Sequence, residues 1–169
     1  MLVLMYLTLT YFCGMELECR LPDWSLLLCS VLYMAWLVLD NIDGKQARRT
    51  RTSSALGLLF DHQVDALNVT ITTTYFANLL MAPQHALVYW FIASLPFYFT
   101  TWEEAYTGSM QFPLISAASD GCLLFGVLAF VFYWFRPEAF IHSYLFGLEY
   151  RVVLMYLLTV LSVCTATYK

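Results

Sequence analysis

The sequence predicts an all-α fold, a polytopic membrane helical bundle with about six transmembrane helices. Hydrophobic residues make up 61% of the 169 residues and charged residues only 12%, whereas about a quarter of a soluble domain is charged. The apolar residues gather into stretches that approach the roughly 20 residues that a helix needs to cross a bilayer. Because no repeat or linker divides the chain, we expect one membrane domain over residues 1–169.

Six apolar stretches define the expected helices in chain order. The first is short, and the third carries aspartates at its start and threonines in its middle. The fourth contains Pro96, which we expect to kink or locally break the helix. The six stretches are residues 1–13, 24–39, 56–81, 85–101, 119–135 and 151–168.

The charges and cysteines exclude some classes of protein. A net charge of −4 offers no broad basic face for a nucleic acid. Half of the eight basic residues fall in the connection between the second and third stretches, which the positive-inside rule places in the cytoplasm. The five cysteines are scattered, so we expect packing residues and no disulfide framework or metal site built from them. The basic residues of that connection are Lys45, Arg48, Arg49 and Arg51.

Four aspartates flank the same connection. Asp40 and Asp43 are three residues apart at the end of the second stretch, and Asp61 and Asp65 are four apart at the start of the third. Both spacings place two carboxylates on one helix face. Because a short connection joins the two helices, we expect the four carboxylates to converge near the cytoplasmic rim. Like charges beside a low-dielectric region need a positive partner, and hard oxygen ligands favour Mg²⁺ or Mn²⁺.

Small and basic residues around the aspartates are suited to a phosphate ligand. Two metal ions would clamp a diphosphate and stabilise an in-line displacement at phosphorus. Gly44, Ala47 and Gly57 would let a phosphate or nucleotide approach the backbone, and Arg48 can donate to a phosphoryl oxygen. Taken singly, each of these charged residues has a simpler interpretation than a ligand-binding role. It could be a residue at a helix end, a determinant of membrane topology or a contact for anionic lipid. The combined spacing favours the functional interpretation.

The pattern D-x-x-D-G-x-x-A-R, eight residues, G-x-x-x-D-x-x-x-D resembles the signature of the CDP-alcohol phosphotransferases. Residues 40–65 match it at every defined position, and LDNIDGKQARRT with LGLLFDHQVD is similar to the eukaryotic choline and ethanolamine phosphotransferase branch. Residues 101–108 are similar to the T-W-E-E-Y-x-T-G segment of that branch and depart from it at Ala105. Since members of the family resemble one another in having about ten helices, we expect this chain to be an incomplete member.

The resemblance implies transfer of phosphoethanolamine or phosphocholine from CDP-ethanolamine or CDP-choline to diacylglycerol, which releases CMP and a phospholipid. It implies two divalent ions held by Asp40, Asp43 and Asp61, with Asp65 as a fourth ligand. It also implies a bilayer of the endoplasmic reticulum or Golgi with the site facing the cytoplasm, and it leaves a homodimer open. Two alternatives remain: a catalytically silent truncated protein, and a cation transporter, which would place its carboxylates near the bilayer midplane.

Two residues compete for the role of general base. Asp65 is often assigned that role in the wider family, but a carboxylate bound to a metal is a weak base. We favour His62, because histidine changes protonation state near neutral pH. The alternative is that His62 orients Asp61 or a substrate oxygen.

The acidic pair of the second motif suits a cationic head group. Glu103 and Glu104 can attract ethanolamine or choline, with Trp102 or Tyr106 presenting a ring face to the ammonium. An ordinary interfacial aromatic belt with a solvated acidic pair is the competing interpretation.

Overall fold

The computed structural model describes residues 1–14, 17, 19–108, 119–135, 143–145 and 147–167, and these fold almost entirely into α-helices. A single 3₁₀ turn, Pro83–His85, precedes the fourth helix. Two short strands, β1 (Tyr144–Leu145) and β2 (Leu148–Glu149), form an antiparallel pair before the sixth. The helices of the described part are α1 Leu2–Cys13, α2 Asp23–Thr50, α3 Ala55–Leu79, α4 Ala86–Thr107, α5 Ser119–Phe135 and α6 Tyr150–Thr167.

The predicted all-α class is confirmed, whereas the six membrane crossings stay a prediction. Within the described residues, α2 alone is both long and apolar enough to cross a membrane by length and composition. Shorter apolar helical stretches occur at Leu2–Cys13, Leu123–Phe135 and Tyr150–Cys164. The predicted sixth stretch ends at Tyr168, which lies outside the described residues.

The threonines of α3 are accommodated by bonds to their own helix. The hydroxyl of Thr72 donates to the Asn68 carbonyl at 2.6 Å, and that of Thr73 donates to the Val69 carbonyl at 2.7 Å. Such bonds back to the preceding turn satisfy hydroxyl groups that would be costly among apolar side chains. The hydroxyl groups of this polar run therefore need no acceptor on another helix.

The second helix is longer than predicted, which corrects the position of the basic residues. It continues past the expected end at Leu39 to Thr50, so Lys45, Arg48 and Arg49 are helical and only Arg51 follows the helix, with a φ of 58°. Cations in the last turns of a helix are favourable because carbonyl groups there carry partial negative charge. The true connection is therefore very short, which brings the start of α3 close to the end of α2.

Pro96 does not break α4, which runs without interruption from Ala86 to Thr107, and the expected kink at this residue stays a prediction. A proline lacks the N–H that would bond to the carbonyl four residues earlier, here that of Ile92. The hydroxyl of Ser162 on α6 donates to that carbonyl at 2.7 Å. This bond replaces the missing one and links α4 to α6.

Aromatic and small residues form the centre of the bundle. The α2 helix packs mainly on α5, and α3 packs on α4 and α1. Tyr33 meets Phe125 edge to face, with ring centroids 4.8 Å apart. The Ser30 hydroxyl donates to the Gly126 carbonyl at 2.9 Å, and a Cβ on Gly126 would lie 2.1 Å from Cε of Met34. Gly126 therefore leaves room for the end of the Met34 side chain where α2 packs on α5.

The expectation that the cysteines form no disulfide was wrong for one pair. Cys13 and Cys19 are joined, with their Cα atoms 5.0 Å apart. Gly14, with a φ of 62°, ends α1 between them and turns the chain back. A left-handed turn of this kind is easiest for glycine. Sequence spacing alone gives no sign of it, because the pair depends on where α1 ends.

Candidate active site

Three of the predicted aspartates meet where α2 ends and α3 begins. Asp40 and Asp43 lie on successive turns of α2, and Asp61 lies in the second turn of α3. Each offers a carboxylate oxygen, and these oxygens lie within 4.8 Å of one another. Asp40 and Asp61 are half-buried and Asp43 is exposed. The structure thus brings together carboxylates from both halves of the first motif.

The cluster is electrostatically unfavourable in the absence of a cation. Two unit charges about 4 Å apart repel by about 4 kcal/mol at an effective dielectric constant of about 20. In the part of the chain that the structure describes, no hydrogen bond or salt bridge reaches the carboxylates of Asp40, Asp43 or Asp61. The donor set consists of hard oxygens only, which suits a small divalent cation.

Asp65 lies one turn further along α3 and is half-buried. Its carboxylate is not part of the 4.8 Å group formed by the other three. It is still close enough in sequence to share the helix face of Asp61. The structure therefore places Asp65 beside the cluster and not in it.

The small residues of the motif have different surroundings. A Cβ on Gly44 would be 3.8 Å from Nη1 of Arg48, an ordinary contact, so the Arg48 side chain lies across Gly44. A Cβ on Gly57 would be 3.2 Å from Oγ of Ser54, which accepts a hydrogen bond from the Gly57 N–H at 3.0 Å. Gly57 thus takes part in the N-terminal cap of α3 by donating to Ser54. This structural role is separate from the expected approach of a nucleotide to its backbone. Ala47 is half-buried in α2.

The second motif reaches the same site from α4. Nε2 of His62 lies 3.6 Å from Oε2 of Glu104, and both side chains are about one-fifth exposed, at 23% and 22%. The rings of His62 and Phe97 are nearly perpendicular, with their centroids 6.2 Å apart. Sequence reasoning treated Glu104 only as a head-group residue and missed this pairing. The available signal was that α3 and α4 form a hairpin with both motifs at its open end.

The other members of the second motif lie around this pair. Oε2 of Glu103 is buried, whereas Tyr106 is 81% exposed. Trp102 is half-exposed and stacks on Phe99, with a centroid distance of 6.4 Å and an angle of 14°. The described contacts thus place Trp102 in an aromatic surface of α4.

The two motifs therefore meet at one site. The cluster of Asp40, Asp43 and Asp61 comes from the first motif, and Glu104 of the second motif lies next to His62 of the first. Residues 1–164 match the family model of the CDP-alcohol phosphatidyltransferases, and the chain belongs to this family.

Similar proteins include enzymes of phospholipid synthesis. Choline/ethanolaminephosphotransferase 1 of Arabidopsis thaliana is 35% identical over 122 residues, which cover 72% of this chain and 31% of that protein. Cholinephosphotransferase 1 of Xenopus laevis is 35% identical over 67% of this chain and 29% of its own length. Choline/ethanolaminephosphotransferase 1 of Saccharomyces cerevisiae is 31% identical over 86% and 37%. The chain thus spans about a third of the length of these relatives.

Proposed function

We propose that this protein transfers phosphoethanolamine or phosphocholine from a CDP-alcohol to the hydroxyl of diacylglycerol, which yields phosphatidylethanolamine or phosphatidylcholine and CMP. The observation that carries the proposal is the cluster of Asp40, Asp43 and Asp61, which occupies the family motif with its oxygens within 4.8 Å. The names of the similar proteins support the substrate class.

The aspartates would hold Mg²⁺ or Mn²⁺, two ions in the proposed site. Asp40, Asp43 and Asp61 are the ligands that the geometry favours, and Asp65 stands one turn away to complete the set. Bound divalent ions supply positive charge that neutralises the diphosphate and stabilises the charge that develops on departing CMP. Arg48, which lies over Gly44 on the same helix, would donate to a phosphoryl oxygen. Ala47 and Gly57 would border the nucleotide.

His62 would take the proton of the attacking alcohol. As the alcohol oxygen bonds to phosphorus, its proton passes to the imidazole, and the bond between phosphorus and the CMP oxygen breaks. Glu104 faces Nε2, so the other ring nitrogen, Nδ1, is the one left to accept that proton. A carboxylate beside the ring stabilises the charged imidazolium that results. Because Glu104 serves His62 in this scheme, Glu103 becomes the stronger candidate for the cationic head group.

The membrane arrangement belongs to the same proposal. A nucleotide from water and a lipid from the bilayer must meet, so the site has to lie at a membrane rim. We propose that the helices form a bundle with six crossings in the endoplasmic reticulum or Golgi, with the acidic cluster on the cytoplasmic side. The basic turn of α2, which consists of the exposed residues Lys45, Arg48 and Arg49, lies beside the cluster and supports this orientation.

The test is an assay in membranes from cells that lack their own activity. Labelled CDP-ethanolamine or CDP-choline is supplied with diacylglycerol, and labelled phospholipid is measured with Mg²⁺, with Mn²⁺ and with EDTA. We expect metal-dependent labelled phospholipid, and competition between the two CDP-alcohols reports which base is preferred. Inserted chain that forms no product from either donor would refute the proposal.

A further inference from the structure

The end of the bundle away from the aspartates carries a second group of polar contacts. The Cys13–Cys19 disulfide lies there, at the turn between α1 and α2. Asn78, near the end of α3, is only 3% exposed. Its Nδ2 donates to the Leu17 carbonyl at 2.6 Å and to the Cys19 carbonyl at 3.0 Å, and lies 3.4 Å from Sγ of Cys13. A buried amide from one helix thus holds the backbone that the disulfide closes.

The two ends are separated by about a membrane thickness. Along α3, Asp61 and Asn78 are roughly 26 Å apart at 1.5 Å per residue. The hydrocarbon core of a bilayer is about 30 Å thick. In the membrane arrangement proposed above, on which this inference rests, the disulfide and the basic residues Lys45, Arg48 and Arg49 of α2 would face opposite sides of the bilayer.

A disulfide persists in an oxidising compartment and is rare in the reducing cytosol. The basic turn of α2 independently favours the cytosolic side for the acidic end. Both observations give the same orientation although they concern different residues and different physical effects. Neither depends on the transfer reaction.

We propose that Cys13 and Cys19 form a lumenal disulfide whose closed turn is clasped by Asn78, and that this clasp fixes α1 on α3. The α1 helix has only 12 residues. Its Thr8 and Thr10 hydroxyls donate to carbonyls of α1 itself. Asn78 of α3 contacts Sγ of Cys13, the last residue of α1, and the Leu17 carbonyl just after it, while Met5 and Leu9 of α1 belong to the buried apolar core.

The bond forms by thiol–disulfide exchange with a lumenal protein disulfide or glutathione disulfide. The Cys13 and Cys19 thiols lose two protons and two electrons, and the oxidant is reduced to two thiols. Once the turn is closed, its carbonyls are presented to Asn78. Reduction would release the turn and weaken the attachment of α1.

The first experiment counts disulfide thiols in the full chain. Thiols are blocked with N-ethylmaleimide in denaturant, the protein is reduced, and newly exposed thiols are labelled with a polyethylene glycol maleimide that shifts the gel band. We expect two labels on the parent and on the control Cys164→Ser, and none on Cys13→Ser or Cys19→Ser. No label on the parent would overturn the proposal.

The compartment is tested in sealed microsomes with the cytosolic face outward. A membrane-impermeant phosphine reductant should leave the disulfide intact until detergent opens the vesicles. Reduction in sealed vesicles would overturn the lumenal assignment.

The clasp is tested with the two buried asparagines of α3. Asn78→Ala should raise the equilibrium constant for reduction by dithiothreitol on the order of 10-fold, since two hydrogen bonds to the closed turn are lost. Asn68→Ala is the matched control, because Asn68 is equally buried at 2% exposure but lies about 15 Å away along the helix. Equal shifts in the two variants would show that Asn78 does not hold the turn.

Discussion

The two ends of α3 are built on opposite principles. At the end near Ala55, like charges are brought together and the described structure offers Asp61 no hydrogen bond or salt bridge. At the end near Leu79, the polar side chain of Asn78 is paired with backbone carbonyls and a disulfide closes the adjacent turn. The first arrangement costs stability and the second adds to it. Such a contrast is expected where one end of a scaffold binds a charged ligand and the other holds the helices in register.

The largest effect is expected from removing one charge at the acidic end. Asp43→Asn should lower transfer activity by on the order of 10³-fold or more, because a metal ligand contributes several kcal/mol to the transition state. The assay is phospholipid formation at saturating Mg²⁺, with membrane insertion checked separately. The matched control is Asp23→Asn, which makes the same change at the other end of α2 and should alter activity by less than about two-fold. Equal losses of transfer activity in Asp43→Asn and Asp23→Asn would show that the acidic end has no special role in the reaction.

A second prediction separates the residues that contact the proposed ions from the base. His62→Ala should lower kcat by about 10²–10⁴-fold while leaving metal-dependent binding of the CDP-alcohol nearly intact. Asp65→Ala should weaken nucleotide and metal binding together. Glu104→Gln should lower kcat less than His62→Ala does, since it removes only the charge 3.6 Å from Nε2. His85→Ala, at the opposite end of the α3 and α4 hairpin, is the control. If His62→Ala and Asp65→Ala lose binding equally, the division of roles is wrong.

The helices and the acidic spacing could be predicted because they depend on neighbouring residues. Apolar stretches of suitable length mark the helices, and a three- or four-residue spacing places carboxylates on one face whatever the rest of the fold does. The end of α2 was placed too early, at Leu39, because hydropathy falls at Asp40 while the helix continues to Thr50. A loss of hydrophobicity reports a change of environment and not the end of a helix.

The features that were missed depend on partners far away in sequence. The Ile92 carbonyl that Pro96 leaves without its usual helix partner accepts a hydrogen bond from Ser162 of α6. The His62 and Glu104 pair requires the packing of α3 on α4, and the Cys13–Cys19 disulfide requires α1 to end at Gly14. No local pattern encodes these contacts, so they emerge only when the helices are assembled.

A third prediction concerns the middle of α2, between the two ends. Gly126→Ala should be about 1 kcal/mol less favourable than the same change at Gly121, because the new methyl group must displace the flexible end of Met34. Unfolding in a denaturing detergent gives the measurement, and adding Met34→Ala should recover part of the loss. The matched control is Gly121→Ala on the same helix, where no atom of the described residues lies within 4 Å of the new Cβ. That control should be neutral or stabilising by up to about 1 kcal/mol. If both alanine variants destabilised the bundle equally, the loss could not be assigned to the contact between Gly126 of α5 and Met34 of α2.

The smallest expected effect concerns the middle of α3, between the acidic end and the disulfide end. Nε1 of Trp90 on α4 donates to Oγ1 of Thr70 on α3 at 3.2 Å. Because Thr70 also donates to the Ala66 carbonyl at 2.9 Å, its hydroxyl is satisfied without the tryptophan. Trp90→Phe and Thr70→Val should therefore each cost little, with a coupling energy of about 0.6 kcal/mol, typical of polar contacts between membrane helices.

A double-mutant cycle in the same unfolding assay measures that coupling. Thr74→Val replaces Thr70→Val in the control cycle, because the Thr74 hydroxyl bonds to the Thr70 carbonyl of its own helix at 2.9 Å. We expect this control to be additive with Trp90→Phe. A coupling well above about 1 kcal/mol in the first cycle would mean that the middle of α3 is fastened as firmly as the disulfide end. The contrast would then lie between the acidic end and the whole remainder of the helix.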